Sequence, residues 1–224
     1  MAHAQLAIVG DFDAQAAEAQ LRGLFGAWKA REPFSRVSDP YRASQGAELL
    51  IEAPEKANAF YVGALSLPIR DDAEDAPALA LANRILGGGS LKSRLADRLR
   101  HRDGLSYGVG SYLQLSPYEA NSTLGFYAIY APDKRERLQA GFREEIERLR
   151  RDGVSEQELA EARSGLLEAA RIARSQDGNL ARALASQMFQ KRDMSFVAAQ
   201  EAKLAAVGVK EVNAAIRAYF DPAR

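Results

Sequence analysis

The stretch Leu86–Ser111, LGGGSLKSRLADRLRHRDGLSYGVGS, decides how this chain is read. Three consecutive glycines end one helical segment and open a second, basic one; Gly104 then breaks the second and a strand pattern carrying Tyr107 follows. Leu91, Leu95 and Leu99 recur every four residues and predict the buried stripe of a helix from about Ser90 to Arg100. Lys92, Arg94, Arg98 and Arg100 fall outside that stripe. Arg100 at the helix C-terminus and Tyr107 on the next strand, seven residues apart, can converge on one point in space. Both supply hydrogen-bond donors, and neither is a base or a metal ligand. The pair therefore suits holding a carbonyl or its oxyanion. Each residue also has a plain structural reading. Arg100 fits a solvated basic face with favourable charge at a helix end. Tyr107 shares strand parity with Leu105, Val109, Leu113 and Leu115, which predicts a core tyrosine. Gly108 and Gly110 fall on the opposite face and leave room for close approach there.

Working outward, Gln5–Val9 predicts a strand ended by Gly10, and Asp13 is the expected N-cap of a helix through Trp28. That helix would bury Ala17, Leu21, Leu24, Phe25 and Trp28. Pro33 to Gly46 reads as a loop, and Glu48–Ala53 and Asn58–Leu67 as two strands around Pro54. Pro77 sits early in a helix reaching Leu86, which the three glycines terminate. Leu105–Leu115 and Asn121–Tyr130 form a hairpin around Ser116-Pro117-Tyr118. A helix from Asp133 to Arg151 follows. Ser155-Glu156-Gln157-Glu158 is a capping box that opens a long helix, bent or interrupted at Gly165 or Asp177-Gly178-Asn179. Helices near Asp193–Val207 and Val209–Phe220 complete the pattern. Single strands and hairpins alternating with helices predict an α+β fold: a largely antiparallel sheet packed against helices, with a hint of ferredoxin-like repeats.

Composition narrows the function. At 224 residues, 47% hydrophobic and 27% charged, the chain can bury a core as one large domain or two small ones. Thirty basic and thirty acidic side chains cancel, so no global field recruits nucleic acid or an anionic membrane. The absence of cysteine excludes disulfides, thiol nucleophiles and thiolate zinc sites. Nothing separates periplasm from cytoplasm. Met1-Ala2-His3 runs almost directly into an apolar strand pattern, and Pro222 follows the last helix. Both ends lead us to expect a single domain over 1–224, excised from a longer chain.

Other motifs give bland readings. Gly87-Gly88-Gly89 lacks the lysine-serine ending of a phosphate loop and follows a helix rather than a strand. The Lys92–Arg102 basic run has no interleaved aromatics. Asp71, Asp72, Glu74 and Asp75 sit where a helix N-terminus favours acids. Ser106 and Ser111 have no histidine placed to activate them.

The run L-G-G-G-S-L-x-S-R-L, followed by L-R-x-x-x-G-L-S-Y-x-V-x-S, resembles the second half of the pitrilysin/insulinase family of zinc metallopeptidases, the inverzincins. The resemblance covers most of the chain. It implies that Arg100 and Tyr107 are the pair this half lends to the active site, and that Gly87, Gly88 and Gly89 shape the wall facing the partner half. It also implies a partner half or sister subunit that carries an H-x-x-E-H helix, binds Zn2+ through two histidines and a glutamate, and uses its own glutamate to activate water. Here the two histidines do not begin that motif: His3 precedes Ala-Gln-Leu-Ala and His101 precedes Arg-Asp-Gly-Leu. The expectation is a substrate-binding, transition-state-stabilising half of a bacterial zinc endopeptidase acting on peptides. The alternative is a non-catalytic scaffold or assembly subunit of the same family.

Overall fold

The computed structural model describes residues 4–29, 32–43 and 45–221, which fall into two compact units. One combines the described residues up to Ser38 with Leu167–Glu201; the other combines Asp39–Leu166 with the chain from Ala202 onward. In the first, Asp13 caps α1 (Ala14–Phe25) by accepting from the Gln15 and Ala16 amides at 2.9 and 3.1 Å. The helix stops three residues short of Trp28, and its expected apolar face stays open: Leu24, Phe25 and Trp28 are exposed. Gln5–Val9 is not a strand. Leu6 and Ile8 alternate as a strand would, but no neighbouring strand among the described residues pairs with them.

The second unit holds the core and the site. Its sheet has the order β1-β3-β2, antiparallel throughout, from β1 (Ala59–Leu67), β2 (Ser106–Gln114) and β3 (Ser122–Tyr130). Glu48–Ala53 does not join it, and Leu49 and Ile51 are 82% and 79% exposed. One sheet face carries Leu65, Leu67, Leu124, Phe126, Ala128 and Val109, and lies under helices. These include α2 (Ala76–Asn83), α3 (Arg135–Asp152) and α7 (Val209–Tyr219), which bury Leu79, Leu81, Leu138, Leu149, Val212 and Ile216. The opposite face presents Phe60, Val62, Tyr112 and Tyr127 to solvent. The α+β class read from the sequence is the class observed.

The capping box forms as expected: the Ser155 amide donates to Glu158 at 2.8 Å and the Glu158 amide to Ser155 Oγ at 3.2 Å, opening α4 (Glu156–Arg174). Gly165 does not interrupt α4; the break falls at Ser175-Gln176, before α5 (Asp177–Phe189). α6 (Met194–Ala206) and α7 match the expected helices.

Candidate functional site

After α2 the helix widens. Arg84–Gly88 makes a π-type turn, closed by the Arg84 guanidinium donating to the Gly88 carbonyl at 3.1 Å. Gly87 and Gly88 therefore lie inside a helical turn rather than past its end, correcting the expected stop at Leu86. A short 3-10 turn (Ser90–Lys92) leads to a second π-type segment, Ala96–Arg102, whose wide pitch shows in the Asp103 amide bonding the Arg98 carbonyl at 3.1 Å. These changes of pitch break the four-residue leucine stripe. Leu95 and Leu99 are fully buried, whereas Leu91 is 52% exposed. Gly104, at φ +59°, turns the chain into β2, and the Leu105 amide reaches back to the Leu99 carbonyl at 2.8 Å.

Strand parity fails at Tyr107. Ser106 faces Tyr130 and Gly108 faces Ile129, so one extra residue is inserted between them as a β-bulge. Ser106 takes the buried position, its hydroxyl bonding the Gly108 and Ile129 carbonyls at 2.8 and 2.7 Å. Tyr107 is displaced to the surface and is 73% exposed. The core tyrosine expected from alternation is thereby corrected.

Between the glycine turn, the Arg100 segment and the outer edge of β2 lies a cleft of about 300 Å³. Gly87, Gly88 and Arg100 line it together with Gly108, Ser111 and Tyr127. Neither Gly89 nor Tyr107 is part of this lining; Tyr107 is the residue before Gly108, which is. Gly87 lets the helix touch the strand: a Cβ there would lie 2.5 Å from the Ser111 backbone nitrogen. Ser111 Oγ ties the two walls together by donating to Asn83 Oδ1 at 2.7 Å. Asn83 and Tyr127 were not singled out from the sequence. Tyr127 could have been, since once the hairpin register is fixed it is an aromatic on the open face opposite Gly110.

The arginines of this region are sharply divided. Arg94 makes a two-pronged bond to Glu158 at 2.7 and 2.9 Å and donates to the Gly153 carbonyl at 2.8 Å. Arg98 pairs with Glu144 and Asp103, and Arg102 with Asp97. Arg100 has no hydrogen-bond or ion-pair partner among the described residues, and neither does Tyr107. Burial pushes the Glu158 carboxyl upward, but the bonds from Arg94 and Ser155 outweigh it and hold the group at about 2.

Zinc does not fit the described residues: no three His, Asp or Glu side chains among them are grouped as a ligand set. His101 is exposed, with Nε2 3.3 Å from the Leu91 carbonyl oxygen, and His3 lies outside the described residues.

Comparisons with known proteins agree on the fold. A protease from Helicobacter pylori superposes with a TM-score of 0.81 over 96% of this chain and 51% of its own, at 18% identity. The peptidase M16 inactive domain from Pseudomonas fluorescens does so with a TM-score of 0.75 over 94% of this chain and 49% of its own, at 23% identity. In sequence, an uncharacterized zinc protease of Rickettsia bellii is 40% identical over 80 residues, 36% of this chain and 19% of that protein. One of Bacillus subtilis is 36% identical over 81 residues, 36% of this chain and 19% of that protein. These matches span about a fifth of the length of the curated relatives. The peptidase M16 inactive domain family matches residues 2–166, and the chain belongs to that family.

Proposed function

We propose that this chain is the substrate-holding half of a zinc-dependent endopeptidase of the pitrilysin type, one domain of a longer or multi-subunit protein. In this reading the zinc and the histidines and glutamate that bind it belong to a partner half, on the same polypeptide or on a sister subunit. Here Arg100 offers its planar fork of donors to a backbone carbonyl of an extended peptide and fixes its register. Tyr107 offers its hydroxyl to the oxygen on which negative charge develops as the peptide bond is attacked. A preorganised donor of that kind lowers the barrier by about 3 kcal/mol. Gly87 and Gly88 place no side chains in their part of the cleft wall.

The observation that carries the reading is the division among the arginines. Three of the four between Arg94 and Arg102 are paired within the fold, whereas Arg100, in the cleft, has no such partner among the described residues. The bulge adds support by lifting Tyr107 out of the core on the residue next to the cleft lining.

The test is peptide cleavage by the intact protein, comparing Tyr107→Phe and Arg100→Ala with the parent. Tyr107→Phe is expected to lower kcat by about 100-fold, and unchanged efficiency in both variants defeats the assignment. A scaffold role would show itself as no cleavage by the parent with its partner bound.

A further inference from the structure

In a regular strand Tyr107 would lie inside. Gly108 faces Ile129 and Val109 faces Ala128, and extending that register by one residue sets Tyr107 opposite the buried Tyr130, on the face that Val109 shares. Burying an aromatic ring is favourable, so alternation alone favours that arrangement. The chain adopts the other one. Ser106 faces Tyr130 instead, the extra residue is taken up as a bulge, and Tyr107 stands exposed. A local interaction has to favour the slip. Gly108 and Ile129 are the first pair past it, and both of their carbonyl oxygens lie within hydrogen-bond reach of one donor, Ser106 Oγ. One carbonyl belongs to β2 and the other to β3, so the hydroxyl bridges the two strands where the ladder is disrupted. Its single proton serves both as a three-centre bond. Ser106 is buried, which leaves water little access to take the place of that donor.

We infer that Ser106 is the positioning residue of Tyr107: its hydroxyl fixes the one-residue slip that turns the phenol out of the core. This inference rests on the role proposed above for Tyr107. The decisive point is that the two bonds exist in one register only. In the regular register Ser106 would share parity with Gly108 and Gly110 and point to the opposite face of the sheet, away from both carbonyls. The hydroxyl therefore interacts differently with the two arrangements, which is what lets it choose between them. Tyr107 supplies no hold of its own, since it has no hydrogen-bond or ion-pair partner among the described residues. Alanine at position 106 would keep the small size that fits opposite Tyr130 and lose the bridge.

The experiment is limited nitration of the 224-residue chain with tetranitromethane, the modified tyrosines being located by tandem mass spectrometry. Tyr112, exposed on the same strand, is the internal standard, and the buried Tyr130 reports unfolding. Ser106→Ala should lower the Tyr107-to-Tyr112 nitration ratio about threefold or more, the shift that loss of a buried hydrogen bond brings. Ser106→Val should lower it as far. Ser106→Thr, close to valine in size but with the hydroxyl kept, should hold it within about twofold of the parent. Where Ser106→Val exposes Tyr130, the comparison of Ser106→Ala with Ser106→Thr decides. In peptide cleavage by the intact protein, Ser106→Ala should lower kcat about threefold or more and leave KM within about twofold, because Tyr107 acts on the transition state. An unchanged nitration ratio in Ser106→Ala, an equal fall in Ser106→Thr and Ser106→Val, or a rise at Tyr130 in Ser106→Ala overturns the inference. Two results separate it from the reading it rests on. If nitration is unchanged in Ser106→Ala while Tyr107→Phe lowers kcat, the inference fails and the substrate-holding role stands. If the ratio falls as expected while Tyr107→Phe and Ser106→Ala both keep the parent kcat, the catalytic role of Tyr107 fails and the positioning role falls with it.

Discussion

Arg94 and Arg100 belong to one short stretch, six residues apart, and have opposite surroundings. Arg94 is tied to Glu158 and to the Gly153 carbonyl, so its guanidinium joins the turn after the glycines to the start of α4. Arg100 reaches into the cleft with no protein partner among the described residues. The first arginine holds the fold; the second is the one that the proposed function assigns to substrate. Charge spacing could not make that division. Arg94 and Glu158 are 64 residues apart, and only the path of the chain brings them together.

Variants at packed or paired positions should disturb stability, in decreasing order, and loss of the unpaired Arg100 side chain should not. The largest effect is expected from Gly87→Ala, whose methyl meets the Ser111 backbone, which cannot yield. Such overpacking costs about 3 kcal/mol in urea unfolding, and a neutral result would mean the helix–strand contact is looser than described. Next, Glu158→Gln removes the charged acceptor of Arg94 and should cost about 2 kcal/mol. The same variant carries a pH signature. The folded-state pKa of Glu158 lies below its unfolded value, so its contribution is fully present above the ordinary carboxylate value of 4.5 and is lost as pH falls toward about 2. Stability measured over that acid range should fall less steeply in Glu158→Gln than in the parent; identical slopes would remove the clamp from the account. The smallest effect is expected from Arg100→Ala, within about 0.5 kcal/mol of the parent. A larger loss would mean that Arg100 also holds the fold and would erase the contrast with Arg94.

Much of the architecture was legible because it rests on local rules. The β2–β3 hairpin, the Ser155 capping box, the Asp13 cap and the C-terminal helices follow from residues a few positions apart. The misreadings came where local periodicity gave way to something longer-ranged. Leu91 left the stripe because the chain changes pitch twice around it. Tyr107 left the core because the register slips by one residue, and alternation alone cannot signal a bulge. The apolar runs at Gln5–Val9 and Glu48–Ala53 carry a strand pattern, and neither is a strand. A pattern becomes a strand only with a neighbour to bond, and the described residues give them none. Of the candidate site, the motif nominated Arg100, Tyr107 and the glycines. That Arg94, Arg98 and Arg102 are paired within the fold was visible only in three dimensions.

The most direct test compares two arginines of the same segment for their effect on catalysis: kcat/KM for peptide cleavage by the intact protein carrying Arg100→Ala, beside the same protein carrying Arg98→Ala. If the unpaired guanidinium is the one that meets substrate, Arg100→Ala loses about 50-fold, the worth of a charged hydrogen bond, and Arg98→Ala stays within a few-fold of the parent while folded. Equal losses in the two variants, or an Arg100→Ala enzyme as efficient as the parent, would contradict it.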